Sequence, residues 1–329
     1  MDAFIILNPR SGGGRVGEYD LDARARAAGA QTHLLGRHDD LTTLAERAAD
    51  AGATVLGMAG GDGSLGVVAR VAMRRDLPFL CLPAGTLNHF ARDAGLDIEN
   101  PPDALRALSD GREKRVDVGE VNDSHTFLNV VSLGLYATMV ADPAYRHAKG
   151  RVARERLEAA LAGGLHPHFD VRLPNGSVLP DALVLLVSNN PYQFARLRWN
   201  AERFRLDAGR LGVSAIALPP VGSRRRGDAL ARVVLRGRDR SEFWRAWTAA
   251  QWSQDFGADD EPVPIAMDGE SLTLTGPVRL RIRPRALRLL VPRDVPDERP
   301  HDGRIASRHS ATYAWRSLRR WVRVTRSDG

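Results

Sequence analysis

The sequence predicts an N-terminal α/β domain with a doubly wound parallel sheet, followed by a mostly antiparallel β domain of sandwich or barrel type. Three observations carry this expectation. In the first third, short apolar runs alternate with Ala- and Arg-rich amphipathic stretches, the pattern of strand–helix–strand units. From Arg115 onward the apolar runs become short and turn-punctuated, as in all-β domains. With 329 residues and 43% apolar content, the chain can build two cores.

The elements follow in order. "FIIL" (Phe4–Leu7) reads as a buried strand and leads into the glycine loop "NPRSGGG". A helical stretch ends at Gly29, and "QTHLL" is the second strand. "DDLTTLAERAADAG" predicts a helix with Asp39 or Asp40 as N-cap and Gly52 as its stop. "TVLGMA" is the third strand, "SLGVVARVAMRR" a helix and "PFLCLP" the fourth strand. Beyond these, "RVDVGEV", "NDS" and "HTFLNVVSLG" read as a hairpin, and Tyr145 to Leu161 as a helix. "FDVRLPNGSVLP", "ALVLLVS", "LGVSAIAL", "SLTLT", "VRLRIRP" and "LRLLVP" supply further strands. "DALARVVLRG" and "SEFWRAWTAAQW" read as a helical insert among them, with Trp244 and Trp247 packing at i, i+3. The expected boundaries are 1–122, 123–292 and a polar, basic tail over 293–329.

Charge and cysteine usage narrow the function classes. The net charge is +7, and Lys114 and Lys149 are the only lysines. From Arg299 to the end there are eight arginines and two aspartates. Tryptophan and leucine lie among the arginines in "YAWRSLRRWVRV". Two readings of this tail stay open: a solvated segment, or an interfacial one on anionic lipid. No nucleic-acid module accompanies it, so nucleic acid is not an expected partner. The single cysteine, Cys81, excludes a disulfide framework and a two-cysteine metal site. In "LPFLCLP" it reads as a small core residue. The apolar start is too short for a signal peptide. The longest apolar run, Ala182 to Val187, has strand length and does not approach a membrane span. A cytoplasmic location is expected, with peripheral attachment at the inner membrane surface as the lipid reading of the tail.

Three polar glycine loops follow the first, third and fourth strands. The carboxyl ends of such strands are where doubly wound sheets collect ligands. In "NPRSGGG", Asn8 and Ser11 offer side-chain donors and Gly12, Gly13 and Gly14 expose backbone N–H groups. In "GGDGS", Gly60, Gly61 and Gly63 let the backbone approach an anion at a helix N-terminus, and Ser64 adds a hydroxyl. Asp62 repels phosphate, so its use there is to hold Mg²⁺, orient the loop or meet a hydroxyl substrate. In "LPAGTLNHFARD", Gly85, Thr86 and Asn88 supply the third loop. Neither a Walker A loop nor a G-x-G-x-x-G is present. Together the loops predict a nucleotide site. Far along the chain, "MDGES" holds Asp268 and Glu270 at a dipeptide that also makes plain hairpin turns.

The ordered set "NPRSGG", "GGDGS", "PAGTLN", "VDVGEVN", "FLNVVSLG", "LVSNNPY", "LDAGRL" and "MDGE" resembles the diacylglycerol kinase catalytic-domain family, which includes bacterial lipid kinases and sphingosine and ceramide kinases. The resemblance spans residues 3 to 292. It implies an α/β nucleotide domain and a β-sandwich lipid domain, with the active site in the cleft between them. It implies ATP and Mg²⁺, and transfer of the γ-phosphate to a lipid hydroxyl at a membrane surface. Carried over by position, the nucleotide set is Asn8, Pro9, Arg10, Ser11, Gly12, Gly60, Gly61, Asp62, Gly63, Ser64, Leu65, Gly66, Gly85, Thr86 and Asn88. Asp268 and Glu270 match the D-G-E segment that places the base, and Asp62 joins them as a catalytic candidate.

Four positions depart from the family pattern. Ser64 replaces a threonine, His89 replaces an aspartate after Asn88, and "HLLGRHDD" lacks a threonine at the end of the second strand. In "LDAGRL", Asp207 matches the first residue of a D-D-G segment that holds a structural Mg²⁺ in bacterial members, but Ala208 stands in the second place. Two other functions fit the same loops: a kinase for a soluble acceptor such as NAD or a sugar phosphate, and a non-catalytic nucleotide- or lipid-binding protein.

Overall fold

The computed structural model describes residues 2–161, 169–194, 201–203, 205–217, 244–255 and 262–297. In chain order the elements begin with β1 (Ala3–Leu7), α1 (Arg15–Glu18), α2 (Leu21–Ala27), β2 (Gln31–Leu34), α3 (Leu41–Asp50) and β3 (Val55–Gly60). Next come α4 (Asp62–Arg74), β4 (Phe79–Pro83), α5 (His89–Asp93), α6 (Ala107–Asp110), β5 (Gly111–Val121) and β6 (His125–Phe127). After β7 (Val130–Gly134), α7 (Leu135–Ala141) and α8 (Lys149–Leu161), strands dominate: β8 (Phe169–Arg172), β9 (Val178–Asn189), β10 (Gln193–Phe194) and β11 (Ala201–Glu202). The last are β12 (Leu211–Ala217), β13 (Trp244–Ala249), β14 (Gln251–Gln254), β15 (Val263–Met267), β16 (Glu270–Leu274) and β17 (Val278–Pro292). The chain forms two compact units. One contains Met1–Asn129, Arg203–Gly209 and Ile282–Asp302; the other is built from Val130–Glu202 and Arg210–Arg281.

The first unit is the predicted α/β domain. Its strands lie in the order β2-β1-β3-β4-β17-β5-β6, and β1, β2, β3 and β4 pair in parallel. Strands β3 and β4 are buried at every position, as parallel strands covered on both faces must be. Ile5, Ile6, Leu56, Met58, Phe79 and Leu80 fill the core, and Cys81 is buried with them. Helix α4 buries Leu65, Val68, Ala69 and Ala72, one stripe at helical spacing. Helix α3 starts where the sequence predicts: Asp40 Oδ1 accepts the Thr43 N–H at 2.7 Å, a side-chain N-cap. Gly52, at φ +94°, follows its end.

The second unit is the predicted antiparallel β domain. Its main sheet runs β13-β12-β9-β7-β15-β16, with β8 on β9, and every pair is antiparallel. Helices α7 and α8 contribute Leu135, Met139, Val152 and Leu157 to a small core with Tyr145 and Leu183.

Four sequence expectations are corrected. Residues 244–254 form strands β13 and β14 rather than a helix. Six residues of this segment pair with β12, Trp244 opposite Ile216. That ladder and the aromatic content favour strand over the helical spacing of the tryptophans. Residues 228–237 of the supposed insert lie outside the described residues, as does the tail from residue 298. The runs "VRLRIRP" and "LRLLVP" are one strand, β17. Pro284 and Arg285 make an irregularity in it, with Arg285 at φ +52°, not a break. Its second half pairs in parallel with β4, Leu289 opposite Phe79, so it joins the α/β sheet rather than the antiparallel domain. The helix expected from Tyr145 divides into a 3₁₀ turn at Pro143–Arg146 and α8. Lastly, the strand expected over 125–134 divides at Leu128–Asn129 into β6 and β7.

Candidate functional site

Strand β1 lies between β2 and β3, with β3 followed by β4. The strand order therefore reverses at β1, and chains leaving β1 and β3 at their carboxyl ends open a crevice. The first two glycine loops leave from those ends.

The first loop is braced before it reaches its glycines. The Asn8 N–H donates to the Ala59 carbonyl at 2.9 Å, and Asn8 Oδ1 accepts the Arg10 N–H at 3.1 Å. The Arg10 guanidinium donates to the Leu35 and Gly36 carbonyls at 3.4 and 3.2 Å. Arg10 thus holds the loop after β2, which Asp39 stiffens by accepting the Gly36 N–H and bonding His33 Nε2, both at 2.8 Å. Pro9 is exposed. Gly12, Gly13 and Gly14 follow at φ +57°, +76° and +100°, a run that side-chain-bearing residues resist.

The three loops converge backbone to backbone. A Cβ on Gly12 would lie 2.5 Å from the Ala84 carbonyl oxygen. One on Gly85 would lie 2.5 Å from Gly61 Cα, and one on Gly61 would lie 3.6 Å from Ser11 Oγ. Any larger residue would fill this cradle. Helix α4 begins at the same place, and no side chain caps its amino end. Ser64 is in its first turn, half-buried beside Gly60 and Gly63. Glycine backbone N–H groups and two hydroxyls are donors of the kind that a phosphate chain takes. These residues could hold a phosphate group.

Asp62 and Asn88 work inside the loops. Asp62 is buried, and its two carboxylate oxygens accept the backbone N–H groups of His89 and Phe90 at 3.1 and 3.0 Å. It fastens the start of α5, and with it the third loop, to the second loop. Asn88 sits at φ +50°. Its Oδ1 accepts the Gly85 N–H at 2.7 Å and its amide donates to the Pro83 and Gly85 carbonyls at 3.3 and 2.9 Å. Thr86 is exposed at the loop tip. Leu65 is wholly buried in the apolar core and Gly66 is buried behind it, so both shape the helix rather than face a ligand.

Behind α5 lies a charge network that the sequence does not announce. Arg203, fully buried, donates to Asp93 Oδ2 at 2.8 Å, to the Leu128 carbonyl at 2.6 Å and to Asn129 Oδ1 at 2.6 Å. Arg92 bonds His89 Nδ1 at 3.1 Å. Burial holds the His89 imidazole below its ordinary pKa, against the pull of the Asp62 charge. Burial likewise pushes the Cys81 thiol well up, with Asp62 adding to it, so Cys81 is an inert core thiol.

In the second unit, Asp268 and Gly269 are the two turn residues between β15 and β16, at φ +48° and +88°. That is the geometry of a two-residue hairpin. Asp268 Oδ1 accepts the Val130 N–H at 3.0 Å, and the Asp268 N–H donates to the Val130 carbonyl at 3.0 Å. The plain-turn reading and a fixed carboxylate are thus the same object. Glu270 is exposed at the start of β16. Asp207, in the first unit, is ion-paired with Arg205 at 3.0 Å. Asp117 is buried and lies outside the set of predicted site residues, and a carboxylate inside the apolar strand "VDVGEV" is the sequence signal that marks it.

Residues 2–121 match the diacylglycerol kinase catalytic domain. A protein of Pseudomonas aeruginosa named "Probable lipid kinase YegS-like" is 29% identical over 273 residues, covering 78% of this chain and 83% of its own. Proteins of the same name from Enterobacter sp. (strain 638) and Cronobacter sakazakii are 28% and 30% identical. In each case the match covers 49% of this chain and 52% of the relative, so the chain spans about half their length. Among solved structures, a diacylglycerol kinase from Bacillus anthracis superposes with a TM-score of 0.60 at 17% identity, over 90% of this chain and 98% of that one. At that identity the likeness concerns the fold. The glycine cradle lies wholly within the segment, residues 2–121, that matches the diacylglycerol kinase catalytic domain.

Proposed function

We propose that the protein is an ATP-dependent lipid kinase that transfers the γ-phosphate of ATP to a lipid hydroxyl. The observation that carries this reading is the convergence of three glycine loops at the carboxyl edge of the α/β sheet, inside the segment that matches a diacylglycerol kinase catalytic domain. The lipid acceptor is suggested by the names of the YegS-like relatives.

In this reading the backbone N–H groups of the first loop and of the α4 amino end hold the phosphate chain, with Ser11 and Ser64 as hydroxyl donors. Asp62, Asn88 and Arg10 are positioning residues that keep the loops in register. ATP supplies the transferable phosphoryl group as its magnesium complex, and Mg²⁺ offsets charge on the phosphates. Asp268 takes the proton of the acceptor hydroxyl as the new O–P bond forms and the bond to ADP breaks. Its fixed seat in the hairpin supports that assignment, and Glu270 is its neighbour on β16. The acceptor is met at a membrane surface. Among the described residues no helix is long and apolar enough to cross one.

The test is incubation with labelled ATP against a panel of lipid hydroxyls and soluble acceptors. Label is expected in a diacylglycerol-like or sphingoid lipid. Label in NAD or a sugar phosphate alone would make it a kinase of a soluble acceptor. ATP binding without turnover on any acceptor would make it a non-catalytic member.

A further inference from the structure

The residues around Asp207 do not fit the structural Mg²⁺ that the family resemblance attaches to this segment. Ala208 stands in place of the second carboxylate. The one that is left, Asp207, is forked by Arg205, whose Nε and terminal nitrogen lie 3.0 and 3.4 Å from its two oxygens. Mg²⁺ sheds water reluctantly and binds where carboxylate oxygens are offered to it. A single carboxylate already facing a guanidinium offers poor terms. Among the described residues no group of three or more His, Cys, Asp or Glu gathers to hold a metal.

We propose that the chain fastens its 206–209 segment with Asp117 and Arg205 in place of a metal ion, and so needs no cation there. Asp117, on β5, is fully buried. Its Oδ2 accepts the Gly209 N–H at 2.6 Å and its Oδ1 accepts the Arg285 N–H at 2.7 Å. Its own N–H donates to the Leu206 carbonyl at 2.6 Å. These bonds tie the segment on both sides of Asp207 to β5, and tie β5 to the irregularity in β17. N–H groups donating to an ionised carboxylate make the stronger class of hydrogen bond. The logic of a metal-held loop is inverted. There the loop's carboxylates grip an ion; here a carboxylate outside the loop grips the loop's backbone. The Arg205–Asp207 pair is half exposed, at 53% and 32%, and such pairs add little stability. Its part is to occupy the carboxylate that a cation would need.

The experiment is thermal unfolding of the full chain without nucleotide, in EDTA and in millimolar MgCl₂. The two midpoints are expected to agree within about 1 °C. A bound cation at a hundred times its Kd would raise the midpoint by about 5–10 °C, and a rise of that size in the parent protein overturns the proposal. The Arg205→Gln/Ala208→Asp double variant frees Asp207 and restores the second carboxylate. It should acquire a Mg²⁺-dependent rise of several degrees, and a double variant as indifferent as the parent also overturns the proposal. Asp117→Asn should lower the midpoint equally in both buffers; a loss that Mg²⁺ repairs would place a cation at Asp117 and sink the idea. If Asp117→Asn fails to fold, the parent and the double variant still decide. None of these readings uses phosphoryl transfer, so they stand apart from the fate of the kinase proposal.

Discussion

Asp62-Gly63 and Asp268-Gly269, two of the Asp-Gly pairs in this chain, share a dipeptide and little else. Asp62 lies in the first turn of a helix, buried, with both carboxylate oxygens receiving backbone N–H groups of a loop 27 and 28 residues away. Asp268 lies in a left-handed turn, half-buried, with one oxygen on the N–H of Val130 and the turn fixing its direction. The first carboxylate is spent on holding a loop in place. The second is held in place itself. The contrast teaches that a carboxylate in a glycine-rich motif is assigned by what its oxygens already do, not by its neighbours in sequence.

The contrast can be broken most sharply at Asp268. Asparagine tolerates positive φ and its oxygen can still accept the Val130 N–H. Asp268→Asn should therefore fold and bind ATP as before, yet lose about 10²–10⁴-fold in transfer rate. Calorimetric ATP binding beside a labelled-phosphate assay reads both. Transfer at the parental rate would remove Asp268 from the chemistry.

The next largest effect is expected behind α5. Arg203→Met takes from the buried Asp93 the closer of its two guanidiniums and leaves it Arg92, 3.3 Å from Oδ1, so the loss is expected at the low end, about 3 kcal/mol, of what breaking a buried pair costs. Chemical denaturation measures it. A loss below about 1 kcal/mol would show the pair to be solvated.

Asp62→Ala should follow, at about 2–4 kcal/mol, because two N–H groups near the site lose their acceptor. Its kinetic mark is a raised KM for ATP, as expected of a positioning residue. A collapse of kcat with KM unchanged would return Asp62 to the chemistry and erase the contrast with Asp268.

The smallest effect is a pH dependence. Burial lowers the folded pKa of His89 below its ordinary 6.5, so the fold favours the neutral ring. Its contribution is complete above that value and is lost as pH falls through the folded pKa. The wild type should lose stability more steeply than His89→Gln on the acid side. Superimposable acid limbs in the two proteins would show that His89 does not titrate in this way.

Much of the first unit is legible in the sequence for a physical reason. Strands β1, β3 and β4 are covered on both faces, so they read as unbroken apolar runs. The loops that follow them need glycine where φ is positive or where a Cβ has no room, as at Gly12 and Gly85. What is hidden in the sequence depends on distant partners. Nothing in "GGDGS" says that Asp62 reaches His89, and nothing near Arg203 points to Asp93, 110 residues earlier. The β13 segment reads as helix because Trp244 and Trp247 have helical spacing, while its ladder partner lies on β12. Asp268 is legible as a turn, but its bond to Val130 is not.

Strand β17 has a consequence for how the protein comes to exist. Its second half inserts between β4 and β5, among strands β1 to β6 that all precede residue 128, while its first half pairs with β14. A nascent chain that has emerged only through β6 carries two open strand edges where β17 belongs, and such edges invite pairing with other chains. Synthesis proceeds from the N-terminus at about 5–20 residues per second, so this gap persists for on the order of ten seconds while the antiparallel domain is made. A fragment cut to residues 2–121 would carry the gap permanently, even though it contains every glycine of the cradle. The segment marked by sequence similarity thus lacks part of its own sheet, which is completed by β17 at Val278–Pro292, on the far side of the antiparallel domain in the chain.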